Sequence, residues 1–128
     1  MSQLSPQWKN LTSLSELNHV INESKYKPVL ILKHDPSSGE SIRIKNELDL
    51  NWGLTSDQVD LYLVESYQQT ISKEIVDVAG IDDEFPQIVL FADGVTMYDE
   101  SYDMISFKKI KLALKIVNRT FRWLETRA

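Results

Sequence analysis

Two stretches of the chain, Val29-Leu30-Ile31-Leu32 and Ile88-Val89-Leu90-Phe91, are apolar without interruption. Both are short and bounded by turn-forming residues, so each reads as a strand buried on both faces. A further strand is predicted at Val59 to Ser66, where Val59, Leu61 and Leu63 alternate with Asp60, Tyr62 and Val64. Elsewhere the apolar spacing changes to three and four. Leu14, Leu17 and Ile21, with Val20 beside them, predict a helix over Thr12 to Glu23. Thr12 or Ser13 caps it, and Glu16 stands at the capping-box offset from Ser13. Ser38 or Ser41 caps a helix through Leu48, with Ile42, Ile44 and Leu48 as its apolar face. Ile71, Ile75 and Val78 predict a helix over Thr70 to Ala79, which Gly80 stops in the left-handed conformation. Ala92-Asp93-Gly94 is a hairpin turn, so Val95 to Tyr98 should return antiparallel to Ile88–Phe91. Ser106 caps a final helix from Phe107 to about Thr126.

This order of helices and strands predicts an α/β fold in one domain over residues 1–128. A central sheet of four strands is expected, the first three parallel and the last antiparallel, with helices on both faces. Val29, Ile31, Leu61, Leu63, Val89, Phe91 and Ile110 are its expected core. The pattern suits a thioredoxin-like arrangement and leaves flavodoxin-like and ferredoxin-like orders open.

Composition narrows the chemistry. The 128 residues (14.8 kDa) include no cysteine. Disulfides, thiolate zinc sites, iron–sulfur clusters and thiol nucleophiles are therefore excluded. Two histidines, His19 and His34, argue against a multi-histidine metal site. No metal and no cofactor is expected. No apolar stretch approaches the roughly 18 residues of a membrane span, and no signal peptide is visible at the N-terminus. A cytoplasmic protein without a membrane partner is expected. The net charge is −5, but residues 108–128 carry +6 and residues 1–107 carry −11. From Asp77 to Asp103 there is no lysine or arginine. Nucleic acid would be repelled by such a body. The acidic residues Asp82, Asp83, Glu84, Asp99 and Asp103 lack EF-hand spacing and read as a solvated surface.

Four local features, in order, resemble the monothiol bacilliredoxins. Val29 to His34 is similar to a first buried strand ending in Lys-His, here Lys33-His34. Asp35-Pro36-Ser37-Ser38-Gly39-Glu40-Ser41 occupies the place of a Ser-Thr-X-Cys-Pro/Ser-Ile-Ser loop. Phe85-Pro86-Gln87 resembles a Ser-Pro-Gln ahead of the third strand. Asp93-Gly94 and Ser101 to Ile105 resemble the hairpin and a Ser-His-X-X-Ile entry to the last helix. The likeness covers roughly residues 10–118 and implies a thioredoxin fold.

The departures bear on function. Ser38 stands where the resemblance places the active cysteine, and Gly39 and Glu40 replace the pair after it. The family forms or reduces mixed disulfides with bacillithiol, chemistry that requires a thiolate. A serine hydroxyl forms no exchangeable disulfide and needs a base to act as a nucleophile. Ser38, His34 and Asp35 can be written as such a set, but glycine spacing of a nucleophile elbow is missing. The plainer reading makes Ser38 a helix cap and gives His34 a backbone hydrogen bond. Several loop positions differ from the family, not Ser38 alone. The resemblance also implies a cis Phe85–Pro86 bond, with Phe85, Pro86 and Gln87 forming a binding edge. Its occupant would be a protein partner or a bacillithiol-related ligand, bound without enzymatic thiol exchange.

The last helix adds a second surface. Phe107, Ile110, Leu114, Val117, Phe121 and Leu124 form one stripe toward the sheet. Leu112, Ile116 and Trp123 lie on a neighbouring face among Lys108, Lys109, Lys111, Lys115, Arg119 and Arg122. Either the basic side-chain stems cover them, or they form a contact, most simply a homodimer.

Overall fold

The structure, a computed structural model, describes residues 5–120. In chain order the elements are β1 (Lys9–Asn10), α1 (Leu14–Glu23), β2 (Val29–His34), α2 (Gly39–Asn51), β3 (Asp60–Glu65), α3 (Gln69–Ala79), β4 (Gln87–Ala92), β5 (Val95–Ser101), a 3-10 turn (Tyr102–Met104) and α4 (Phe107–Thr120). The five strands form one sheet in the order β1-β3-β2-β4-β5. No helix among the described residues is long and apolar enough to cross a membrane.

The sheet has two cores. On one face Leu30, Leu32, Leu61, Leu63, Ile88 and Leu90 pack beneath α2 and α4. On the other, Val29, Ile31, Val89 and Phe91 pack beneath α1 and α3. All seven residues expected in the core are buried. The returning hairpin strand also forms, with Leu90 opposite Tyr98 and Ala92 opposite Val95. Asp93 and Gly94 supply the two left-handed residues, φ 53 and 78, that such a turn requires.

Two features of the expected sheet are corrected. A fifth strand, β1, pairs parallel to β3 through Lys9 and Asn10. Two exposed polar residues carry no periodicity, so no pattern could announce them. Secondly, β4 runs antiparallel to β2, with Lys33 opposite Gln87, where parallel pairing was expected. A run buried on both faces reads the same in either direction. The direction is set by residues 81–86, which bring the chain from Gly80 back to the C-terminal end of β2.

The helices keep their places but differ in detail. In α1 Leu17 and Val20 are buried while Leu14 is exposed. In α2 Ile44 and Leu48 are buried, but Ser41 replaces the exposed Ile42. Val76 takes the buried place expected of Val78 in α3. Ser13 accepts from the Glu16 N–H as a cap, while the Glu16 carboxylate accepts from the Thr12 N–H. In α4 Ile110, Leu114 and Val117 face the sheet. Phe121, Arg122, Trp123 and Leu124 lie outside the described residues.

Ser24, just past α1, is fully buried and ties this helix to the hairpin. Its carbonyl accepts from the Asp93 N–H at 2.8 Å, and its hydroxyl accepts from the Gly94 N–H at 2.8 Å. Ser24→Ala leaves that turn amide without its partner. A loss of about 1–2 kcal/mol is expected by urea denaturation; an unchanged midpoint would contradict this role for Ser24.

Candidate functional site

The site grows from the C-terminal end of β2. This strand lies between β3 and β4, with helices above and below, so all six of its residues are buried. The last two are Lys33 and His34, polar side chains in a position that demands partners.

Lys33 is 0% exposed. Its ammonium donates to Asp83 Oδ1 and to Gln87 Oε1 (2.7 Å), and lies 4.6 Å from the centre of the Phe85 ring. Asp83 also accepts from Ser72 Oγ of α3 at 2.9 Å. Gln87 Nε2 donates to the Asp82 carbonyl at 2.8 Å and to Ser101 Oγ at 3.3 Å. One cation thus fixes the segment on either side of Pro86, and ties it to α3 and β5. Burial pushes the Lys33 pKa down, against the opposing bond and charge of Asp83. Burial also acts to raise the Asp83 carboxyl, but the bonds from Lys33 and Ser72 outweigh it, and its pKa is lowered. The Phe85–Pro86 peptide bond is cis. The Pro86 carbonyl accepts from the Tyr102 N–H at 3.0 Å, and Tyr102 holds a left-handed φ of 58.

His34 Nδ1 is 2.7 Å from Ser41 Oγ, which also accepts the Asp35 N–H at 2.9 Å. Ser41 thus joins the His34 ring to the start of the following loop. Burial, then the charge of Lys45, pushes the His34 pKa below the ordinary 6.5. The expected backbone partner for this ring is thus corrected to a buried hydroxyl of α2. Asp35 turns away: its carboxylate accepts from the Ser37 N–H (3.0 Å), Ser37 Oγ (2.7 Å) and Ser66 Oγ (3.1 Å). Ser38 Oγ accepts from the Ser41 N–H at 3.3 Å and caps α2. Ser38, His34 and Asp35 therefore form no relay.

Of the proposed binding edge, Pro86 and Gln87 are buried and the Gln87 amide is turned inward. Phe85 is partly exposed. Next to it, Tyr102 is bonded to the Pro86 carbonyl, and burial, then the charges of Glu84 and Glu40, raise its phenol pKa. Leu112 and Ile116 are exposed on α4, far along the chain from this loop, and Trp123 lies outside the described residues. Among the described residues no group of three acidic or histidine side chains could hold a metal. The Lys33–Asp83–Ser72–Gln87 network and the Ser41 partner of His34 escaped sequence reasoning. Their signal was present, since a lysine within a doubly buried strand must be paired.

Two measurements follow from these bonds. Asp83→Ala leaves a buried ammonium short of its counter-charge, and about 3 kcal/mol of stability should be lost; a loss below about 0.5 kcal/mol would contradict the pairing. For His34 the folded pKa lies below the unfolded value, so the unfolded chain takes the proton first. Its contribution is complete above about pH 6.5 and is lost as the pH falls toward the folded-state value. Urea midpoints of the wild type should drop between about pH 7.5 and 5.5, and His34→Asn should flatten that slope. An equal slope in both proteins would count against a neutral His34.

The sequence matches the family described as monothiol bacilliredoxin BrxC over residues 9–110. A search of curated proteins finds no match. Among solved structures, one described as an oxidoreductase with a thioredoxin fold is 23% identical with a TM-score of 0.71, covering 82% of this chain and 91% of that one. Thioredoxin from Malassezia sympodialis is 18% identical (TM-score 0.69; 91% of this chain and 96% of that one). Thioredoxin NaTrxh from Nicotiana alata is 16% identical (TM-score 0.64; 92% and 96%). These likenesses show the thioredoxin fold, and the match over residues 9–110 shows that the chain, cysteine-free throughout, belongs to the monothiol bacilliredoxin family.

Proposed function

We propose that this protein is a redox-inactive, cytoplasmic bacilliredoxin relative that binds an extended segment of a protein partner beside Phe85. One observation carries the reading. Among the described residues the backbone N–H and C=O of Phe85 find no hydrogen-bond partner, while Pro86 and Gln87 beside it are clamped. A rigid loop with unpaired backbone groups can accept a strand from outside at little ordering cost. Thiol exchange is unsupported by any residue present. The hydroxyl of Ser38 caps a helix, and it forms no exchangeable disulfide. Bacillithiol bears carboxylates, and Glu40 and Glu84 would repel them, so a peptide suits this edge better.

The two halves of the proposal are tested separately. The wild type should leave a bacillithiol mixed disulfide on a model protein unreduced, and Ser38→Cys should reduce it above background. Activity in the wild type would end the redox-inactive reading. For binding, peptides selected by display against the wild type should slow hydrogen exchange at the Phe85 amide. Peptides that bind without protecting it, or a selection that yields none, would overturn the binding edge.

A further inference from the structure

The edge at Phe85 carries a negative charge that the fold does not balance. Glu84 precedes Phe85 in the chain, so it stands next to the unpaired backbone. Pro86 follows, and the bond from the Tyr102 N–H to its carbonyl ties the 3-10 turn Tyr102–Met104 to the same loop. This turn also packs against α2, whose first turn holds Glu40. Tyr102 is thus a meeting point of two acidic residues from distant parts of the chain. After burial, the charges of Glu84 and Glu40 are what raise its phenol pKa. Tyr102 is 37% exposed and Met104 53% exposed, so apolar surface lies beside the carboxylates.

The chain's own cations do not answer this charge. Neither Glu40 nor Glu84 forms an ion pair among the described residues. From Asp77 to Asp103 there is no lysine or arginine. Lys33 reaches into the loop, but it is fully buried and bonded to Asp83 and Gln87. Burial pushes its pKa down, and the bond and charge of Asp83 oppose this ahead of Glu84. Asp99 adds to the same field: burial, then the charges of Glu100 and Glu84, raise its carboxyl pKa. Glu84 is nonetheless partly buried. A carboxylate so placed is costlier without a cation than one in open water.

We propose that the segment bound beside Phe85 carries a lysine or arginine whose cation lies by Glu84 and Glu40. This rests on the reading of Phe85 as a binding edge and adds the chemistry of its occupant. Backbone pairing is blind to sequence, so a side chain has to supply the selectivity. An acidic segment would meet two like charges here. An uncharged one would cover Glu84 and leave it unpaired. A basic side chain answers both carboxylates, and its methylene stem lies along the exposed part of the Tyr102 ring.

The test uses peptides selected by display against the full chain that slow hydrogen exchange at the Phe85 amide. Each should carry a lysine or arginine. Replacing that residue by glutamine in the synthetic peptide should weaken binding to the wild type at least about tenfold. With Glu40→Gln/Glu84→Gln the same replacement should change the affinity by less than about twofold. The peptide replacement leaves the protein untouched, and circular dichroism checks that the double variant is folded. Peptides that protect Phe85 without a cation overturn the proposal and leave the binding edge standing. So do peptides whose cation matters equally to the wild type and the double variant. If no selected peptide protects the Phe85 amide, the binding edge itself falls, and this inference falls with it.

Discussion

An ammonium group withdrawn from water at the end of the central strand is the constraint around which the site is arranged. Lys33 reaches neutrality only by drawing Asp83 and Gln87 onto itself, with the Phe85 ring beside it. Those three residues belong to the segment that enters β4, so the charge fixes how that segment returns from α3. It also fixes the direction of β4, because Gln87 has to begin its strand opposite Lys33. Asp83 keeps 48% of its side chain in water, which lowers the desolvation cost of the pair while leaving the Lys33 end dry. Ser72 and Ser101 extend the network into α3 and β5. The side chains of Lys33, Asp83 and Gln87 are thereby satisfied within the chain, which rigidifies the loop around the unpaired backbone of Phe85.

The same order extends to the loop between β2 and α2. Asp35 stiffens the turn, Ser38 caps α2, and Ser41 bonds the His34 ring. A capping hydroxyl is worth about 1 kcal/mol to a helix. The serines of this loop thus act in holding its fold. Glu84 and Glu40 place negative charge around Tyr102.

Much of this was legible in the residues. The buried strands at Val29–Leu32 and Ile88–Phe91, the Asp93-Gly94 hairpin and the Ser38 cap follow from periodicity and turn chemistry. Expected positions of the helices hold, with exchanges such as Val76 for Val78 that a small rotation of a helix about its axis explains. What stayed hidden was of two kinds. β1 and the direction of β4 depend on pairing between segments far apart in the chain, and neither leaves a local pattern. The partners of Lys33 and His34 come from α2, α3 and the segment before Pro86, brought together only by the finished fold. Even so, two polar residues closing an apolar strand signalled that partners had to exist.

The central role of Lys33 is best measured as a coupling, because Lys33→Met alone removes a buried charge and repacks at once, and its net effect on stability can take either sign. A double-mutant cycle of Lys33→Met and Gln87→Met, read by urea denaturation, isolates the tie between β2 and the segment entering β4. The account predicts a coupling of about 1–3 kcal/mol between the two positions. Additive effects, equal within about 0.3 kcal/mol to the sum of the single substitutions, would contradict it.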